Sequence, residues 1–145
     1  MFSAYPVRLV FAVLALLLLT ACGTEAPRWV DEDGAYTSET ALELAEKVDS
    51  GSLANRPTSD APELRHDALV ALRREGSGAS VAAGLITRTF PSDSTGVPFY
   101  VESATYESKE ALIIVEAIGR DEGKLADERV WVLSASGDVL LSGTR

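Results

Sequence analysis

Apolar residues are spaced along this chain in three successive ways, and each spacing predicts a different kind of segment. Residues 9–19 form an unbroken apolar run of 11 residues. Between residues 38 and 90 the apolar positions recur every three to four residues, which is typical of amphipathic helices. Beyond residue 98 apolar and polar positions alternate, which indicates half-buried strands. The pattern therefore predicts a leader, a helical part and a β part, in that order.

The helical part is predicted to contain three helices. The first begins at Ser38, a residue type that favours the N-cap position. The second begins at Asp60, which together with Glu63 fits a capping box, and it ends before Gly76. Residues 79–90 (ASVAAGLITRTF) form the third helix.

The last third of the chain is predicted to contain four strands, at residues 99–106, 111–118, 130–134 and 139–142. Residues 111–118 (ALIIVEAI) are the richest in β-branched side chains, which predicts the central and most buried strand. Three helices followed by four strands predict an α+β domain. In it, two to three N-terminal helices pack on one face of a four-stranded antiparallel meander.

The segment between the leader and the first helix is predicted to be a tether. Residues 22–37 follow neither a helical nor a strand period and contain Pro27. Residues 38–145 would then form a single domain, whose 108 residues suffice for one core. Trp29 is unusual in a tether. It either docks onto the folded domain or lies at a membrane interface, where tryptophan is favoured.

The leader has the layout of a secretory signal. Its single charged residue, Arg8, precedes the apolar run, and small residues then lead to a cysteine. A membrane-spanning helix needs about 20 apolar residues, whereas residues 9–21 comprise only 13. The sequence Leu-Thr-Ala-Cys at positions 19–22 resembles the lipobox of bacterial lipoproteins. This resemblance covers residues 1–22 and nothing beyond them.

The resemblance implies that residues 1–21 are a lipoprotein signal peptide, cleaved between Ala21 and Cys22. It also implies a diacylglyceryl group on the Cys22 sulfur, which would anchor the protein on the extracytoplasmic side of a bacterial cell membrane. Gly23 follows the cysteine, where an aspartate would mark retention in the inner membrane. If the host cell has two membranes, the sequence leaves open which of them holds the protein. Since Cys22 is the only cysteine, no thiol remains for a disulfide, a redox centre or a metal site.

The charge of the mature chain argues against some partners. Loss of residues 1–21 removes one basic residue, Arg8, and no acid, which leaves 12 Lys and Arg against 22 Asp and Glu, a net charge of −10. Nucleic-acid binding needs clustered basic side chains, so we expect no nucleic-acid partner. Residues 31–34 (DEDG) lack the alternating acids of an EF-hand loop, and we expect no metal site and no cofactor besides the lipid.

No catalytic residues can be assigned. His66 is the only histidine, and it lies between Arg65 and Asp67 on the second predicted helix. Histidine is the usual general base, yet the surrounding residues supply no nucleophile. The sequence therefore favours a protein that is not an enzyme.

Glu116 is the only charged residue within the apolar central strand. If its face of the sheet is buried, the carboxylate needs a partner, for which Arg129 on the next strand is suitable. If that face is open, Tyr100, Tyr106, Glu116 and Trp131 would line a groove.

Three functions remain open at this point. The first is an envelope lipoprotein that binds another protein, and the second is a binder of a lipid or small ligand in a groove on the sheet. The third, an enzyme, has the least support. An exposed patch centred on Trp or Tyr would favour the protein partner, and an apolar pocket with inward polar groups would favour the ligand.

Overall fold

The computed structural model describes residues 26–90, 95–120 and 123–144. These residues form five strands and three α-helices: β1 Arg28–Tyr36, α1 Ser38–Lys47, α2 Ala61–Leu72, α3 Ser77–Thr89, β2 Val97–Tyr106, β3 Lys109–Ile118, β4 Asp127–Ser134 and β5 Val139–Thr144. Two short 3-10 helices, Gly51–Asn55 and Thr58–Asp60, lie between α1 and α2. No helix within the described ranges is long and apolar enough to cross a bilayer. The leader and Cys22 lie outside the described residues.

The strands form one sheet in the order β1-β2-β3-β4-β5. The last four are an antiparallel meander, as the alternating pattern predicted. β3 lies at the centre and is buried throughout residues 111–118, which confirms the prediction for that strand. We call the end of the sheet where β1 begins, at Arg28, the near end. The opposite end, at Tyr36, is the far end.

The tether prediction is wrong for residues 28–36, because they form β1. This strand pairs in parallel with β2, from Arg28 opposite Tyr100 to Tyr36 opposite Tyr106. Trp29 packs against the core, so the docked alternative holds for it. The strand had no visible period because acidic residues interrupt it and because the register shifts within it.

Helices cover both faces of the sheet, and the prediction of helices on one face is wrong. Alternate residues of β3 enter different apolar clusters. Leu112 and Ile114 join a cluster with residues of α2 and α3. Ile113 and Val115 join a cluster with residues of α1. The physical reason is that β3 is apolar on both sides, and such a strand needs cover on both. We call these two sides the α2–α3 face and the α1 face.

The helix ends differ slightly from the predicted ones. Thr37, not Ser38, caps α1: its backbone N–H donates to Thr40 Oγ1 at 2.8 Å, and Thr40 N–H donates to Thr37 Oγ1 at 3.4 Å. Asp60 precedes α2 without a side-chain cap hydrogen bond, so the predicted capping box does not form. α3 begins at Ser77, two residues earlier than predicted.

Glu116 lies on the α2–α3 face near the near end and is fully buried. Its carboxylate accepts hydrogen bonds from Arg65 Nη1 at 2.7 Å, Arg129 Nη2 at 2.8 Å and Trp131 Nε1 at 2.9 Å. Arg129 is the partner expected for a buried glutamate, while Arg65 and Trp131 were not foreseen. Arg65 also donates to the carbonyl oxygen of Gly96 at 2.7 Å. These bonds fasten α2 to the two strands beneath it.

We expect Glu116→Gln to lower the free energy of unfolding by about 3 kcal/mol, because it leaves the buried Arg65 guanidinium without its counter-charge. Glu110 is exposed on the same strand, so Glu110→Gln is a matched control and should cost less than about 0.5 kcal/mol. Urea denaturation followed by tryptophan fluorescence measures both. Equal losses of unfolding free energy in the two variants would contradict a stabilising role for the hydrogen bonds of Glu116.

Candidate functional site

The structure does not bring the four residues of the predicted groove together. Tyr100 and Tyr106 are buried on the α1 face, whereas Glu116 and Trp131 lie on the α2–α3 face. A register shift between Pro98 and Tyr100 contributes to this arrangement, because it sets Tyr100 opposite Val115 of the α1 face instead of Ile114 of the α2–α3 face. The groove expected from these side chains therefore does not form.

The tyrosines instead belong to a buried polar cluster beneath α1. The Tyr36 and Tyr100 hydroxyls both donate to Glu102 Oε2, at 2.7 and 2.8 Å. The Tyr106 hydroxyl lies 2.6 Å from Ser38 Oγ. Glu102 is only 3% exposed, so the two phenols replace the water that a surface carboxylate would bind.

A different groove opens on the α2–α3 face, between α3 and the sheet. Its β2 and β3 residues lie toward the far end, whereas Trp29 and Asp31 belong to the half of β1 closer to the near end. We call it the α3 groove, and it encloses about 570 Å³. It is lined by Trp29 and Asp31 of β1, by Gly78, Val81, Ala82 and Leu85 of α3, by residues 103–105 and 110–112 of β2 and β3, and by Ala135.

Apolar side chains make most of the wall. Trp29 is half-buried, and its ring packs against α3 at Gly78. A Cβ atom at that position would lie only 3.1 Å from Trp29 Cζ2, which is a tight contact. Gly78 thus lets the helix approach the tryptophan. Val81 is 72% exposed, the most exposed large apolar residue in the described ranges. Leu85, also in the wall, is nearly buried.

The polar groups of the α3 groove are acidic or neutral. Asp31 and Glu110 are exposed, and Ser103 and Thr105 line the groove with hydroxyls. No Lys, Arg or His of the described residues lines it. An apolar groove with acidic side chains suits an apolar group that carries, or lies next to, a positive charge.

A second cavity, of about 320 Å³, lies at the near end. We call it the near-end cavity, and it is lined by Arg28, Arg56 and Asp49 together with apolar side chains and hydroxyls. Arg56 Nη2 is 2.8 Å from an Asp60 carboxylate oxygen. Asp49 Oδ1 accepts the Gly51 backbone N–H at 2.8 Å. This cavity therefore holds charges of both signs.

The other candidate residues form no chemical site in the structure. His66 is exposed on α2. Across residues 26–90, 95–120 and 123–144, no three His, Cys, Asp or Glu side chains come together as metal ligands. Ala21 and Cys22, the predicted cleavage and lipidation sites, lie outside these ranges.

Two sequence signals pointed toward the α3 groove. Trp29 stood out in the supposed tether. Val81 is apolar but lies off the helical face that Ala82, Leu85 and Ile86 bury. Neither signal identifies the opposite wall, which depends on strand register. No protein-family model, curated protein or solved structure matches the chain, so its function has to be argued from these surfaces and from the sequence.

Burial of the Tyr100 phenol, its hydrogen bond to Glu102 and the Glu102 charge raise the Tyr100 pKa well above its ordinary value of 10.0. The folded state therefore keeps a proton that the unfolded state loses, and the associated stability is lost as the pH rises above about 10. We expect the free energy of unfolding to fall more steeply above that pH in the wild type than in Tyr100→Phe. Denaturant titrations at several alkaline pH values measure this, and identical slopes would contradict it.

Proposed function

We propose that this chain is a lipid-anchored protein on the extracytoplasmic side of a bacterial membrane, and that its domain binds another envelope protein without catalysis. The anchor rests on the Leu-Thr-Ala-Cys sequence at positions 19–22. The binding role rests on one observation, the open apolar α3 groove with its acidic side chains. The groove replaces the four-residue groove expected from the sequence as the place where a partner would bind.

The direction of β1 supports a protein partner over a lipid of the anchoring bilayer. Ala26 follows Cys22 by four positions, a distance of at most about 14 Å along an extended chain. A lipid on Cys22 would therefore hold the near end of the sheet close to the membrane. The β2 and β3 residues of the groove lie toward the far end: Ser103 and Thr105 are three and five positions beyond Tyr100 on β2, about 10 and 17 Å along the strand. The mature chain's net charge of −10 also opposes lying flat on anionic lipid.

The groove defines the chemistry of the partner. Trp29 and Val81 offer apolar surface, and Asp31 and Glu110 offer negative charge. A matching segment would insert an apolar side chain and carry an adjacent Lys or Arg. Exposed aromatic and aliphatic surface in a groove is a common anchor point for such a segment.

A small ligand is the second candidate occupant. The volume of about 570 Å³ falls within the range of about 300–1,000 Å³ that is typical of ligand pockets. The Ser103 and Thr105 hydroxyls would orient such a ligand.

The anchor is tested at Cys22. We expect the wild type to incorporate labelled palmitate and to fractionate with membranes, because Cys22 is the only cysteine that can accept a diacylglyceryl group. Cys22→Ala should lose the label and either remain an uncleaved precursor or leave the membrane, with the unfolding midpoint of the domain unchanged. A Cys22→Ala protein of normal mature mass that stays on the membrane would refute the anchor.

The groove is tested with a photo-crosslinking residue at Ala135, an exposed groove position. We expect one envelope protein to be crosslinked in cells through a segment that combines apolar and basic residues. A synthetic peptide of that segment should bind the purified full chain, and Val81→Ser, which removes apolar surface without adding charge, should weaken binding about tenfold, about 1.4 kcal/mol.

Val139→Ser is the matched control, because Val139 is an exposed valine outside the groove, and this variant should bind the peptide normally. Equal effects of the two substitutions would overturn the groove as the binding site. A lipid or small molecule captured in place of a protein would favour the second candidate over the first.

A further inference from the structure

The near-end cavity combines charges in a way that the α3 groove does not. Arg28 and Arg56 supply two guanidinium groups, and Asp49 supplies one carboxylate. Arg28 is exposed, and its guanidinium lies over the Tyr100 ring at 5.9 Å from the centroid. No ion pair joins Arg28 to another described residue among the contacts of the structure. Its charge is thus available to a ligand.

Arg56 and Asp49 each have polar atoms that are not used by their hydrogen bonds within the protein. Arg56 Nε and Nη2 donate to Asp60, which leaves Arg56 Nη1 to donate to a ligand. Asp49 spends Oδ1 on the Gly51 backbone N–H, which leaves Oδ2. The Asp49 charge, after burial, also raises the pKa of Glu128 above its ordinary value. Negative potential is therefore concentrated on the Asp49 side, where a cation would relieve it.

We propose that the near-end cavity binds the zwitterionic headgroup of a phosphoethanolamine lipid. The phosphate would be held by Arg28 and Arg56, since guanidinium forks match phosphate oxygens. The ammonium would donate to Asp49. The cavity volume of about 320 Å³ suits a headgroup, and Leu53 and Phe99 in its wall would contact the glycerol backbone.

The position of the cavity supports a lipid as the source of this headgroup. Ala26 is itself one of the lining residues, and it is four residues from Cys22. If Cys22 carries a lipid, as proposed above, the cavity lies within about 14 Å of the membrane. The inference rests on the proposed anchor for this proximity, while the binding chemistry of the cavity does not depend on it.

Titration of the purified full chain in detergent micelles with soluble headgroups tests the proposal. We expect glycerophosphoethanolamine to bind more tightly than glycerophosphocholine, whose methylated nitrogen cannot donate to Asp49. Inorganic phosphate should bind more weakly than either. Arg28→Gln should weaken the binding of both headgroups about tenfold, because it removes a charged hydrogen-bond donor.

The substitution Asp49→Asn tests the charge of Asp49 without removing its hydrogen bond to the backbone. Asparagine keeps an oxygen for the Gly51 N–H and loses only the charge, so it should abolish the preference for ethanolamine over choline. Arg74→Gln and Asp67→Asn, at exposed positions outside the cavity, are matched controls and should bind as the wild type does.

Equal affinity for phosphate and for the two headgroups would overturn the proposal in favour of a simple anion site. Absence of binding, or equal weakening by the control substitutions, would also overturn it. Binding of soluble headgroups does not require a lipid on Cys22. The titration therefore tests the cavity independently of the proposed anchor.

Discussion

The central strand β3 is apolar on both faces, and this constraint determines how the rest of the domain is arranged. Residues 111–118 are all buried, so neither side of the strand can face water without exposing Ile or Val side chains. One helix cannot cover both sides. α1 therefore packs on one face, and α2 and α3 pack on the other. The α3 groove lies on the second face, where α3 and the far half of the sheet do not close over each other.

Glu116 is the exception within β3, and it makes the two ends of the sheet different. A buried carboxylate is stable only when donors replace its water. Arg65, Arg129 and Trp131 supply these donors from a helix and from the neighbouring strand. The near end of the α2–α3 face is thereby closed by directional bonds between elements. At the far end α3 meets the sheet mainly through apolar side chains, with the Thr89 hydroxyl donating to the Gly137 carbonyl oxygen at 3.3 Å, and the α3 groove is open there.

The sequence predicted the local elements well, because each obeys a period that its own residues display. α1, α2, α3 and strands β2 to β5 all lie close to their expected positions. β1 was missed because it is an edge strand: residues 31–33 are acidic, and an edge strand exposed to water need not alternate. Its pairing with β2 is a contact between distant residues, which no local period displays.

The candidate site was harder to predict, because it depends on which side chains share a face across strands. The groove expected from Tyr100 and Glu116 assumed a regular register, and the shift between Pro98 and Tyr100 sends them to opposite faces. Arg65 was likewise unforeseen as a partner of Glu116, since 51 residues separate them. For the Glu116 contacts the sequence supplied one signal, a lone charged residue in an apolar strand, and Arg129, the partner expected for it if buried, is present.

The parallel pairing of β1 with β2 gives the proposed functions their geometry. The chain enters the sheet at the near end, beside the cavity lined by Arg28 and Asp49. It leaves β1 at the far end, so the β2 and β3 walls of the α3 groove lie farther along the sheet from the proposed anchor than the cavity does. A strand added in the opposite direction would exchange these positions and bring the acidic groove toward the bilayer. Under the proposed anchor, the observed direction would turn the cavity with charges of both signs toward the bilayer and leave the acidic apolar groove to a partner with a positive charge. Through Trp29, the same edge strand also forms one wall of the groove, so an occupant of the groove would contact the strand that follows the proposed anchor.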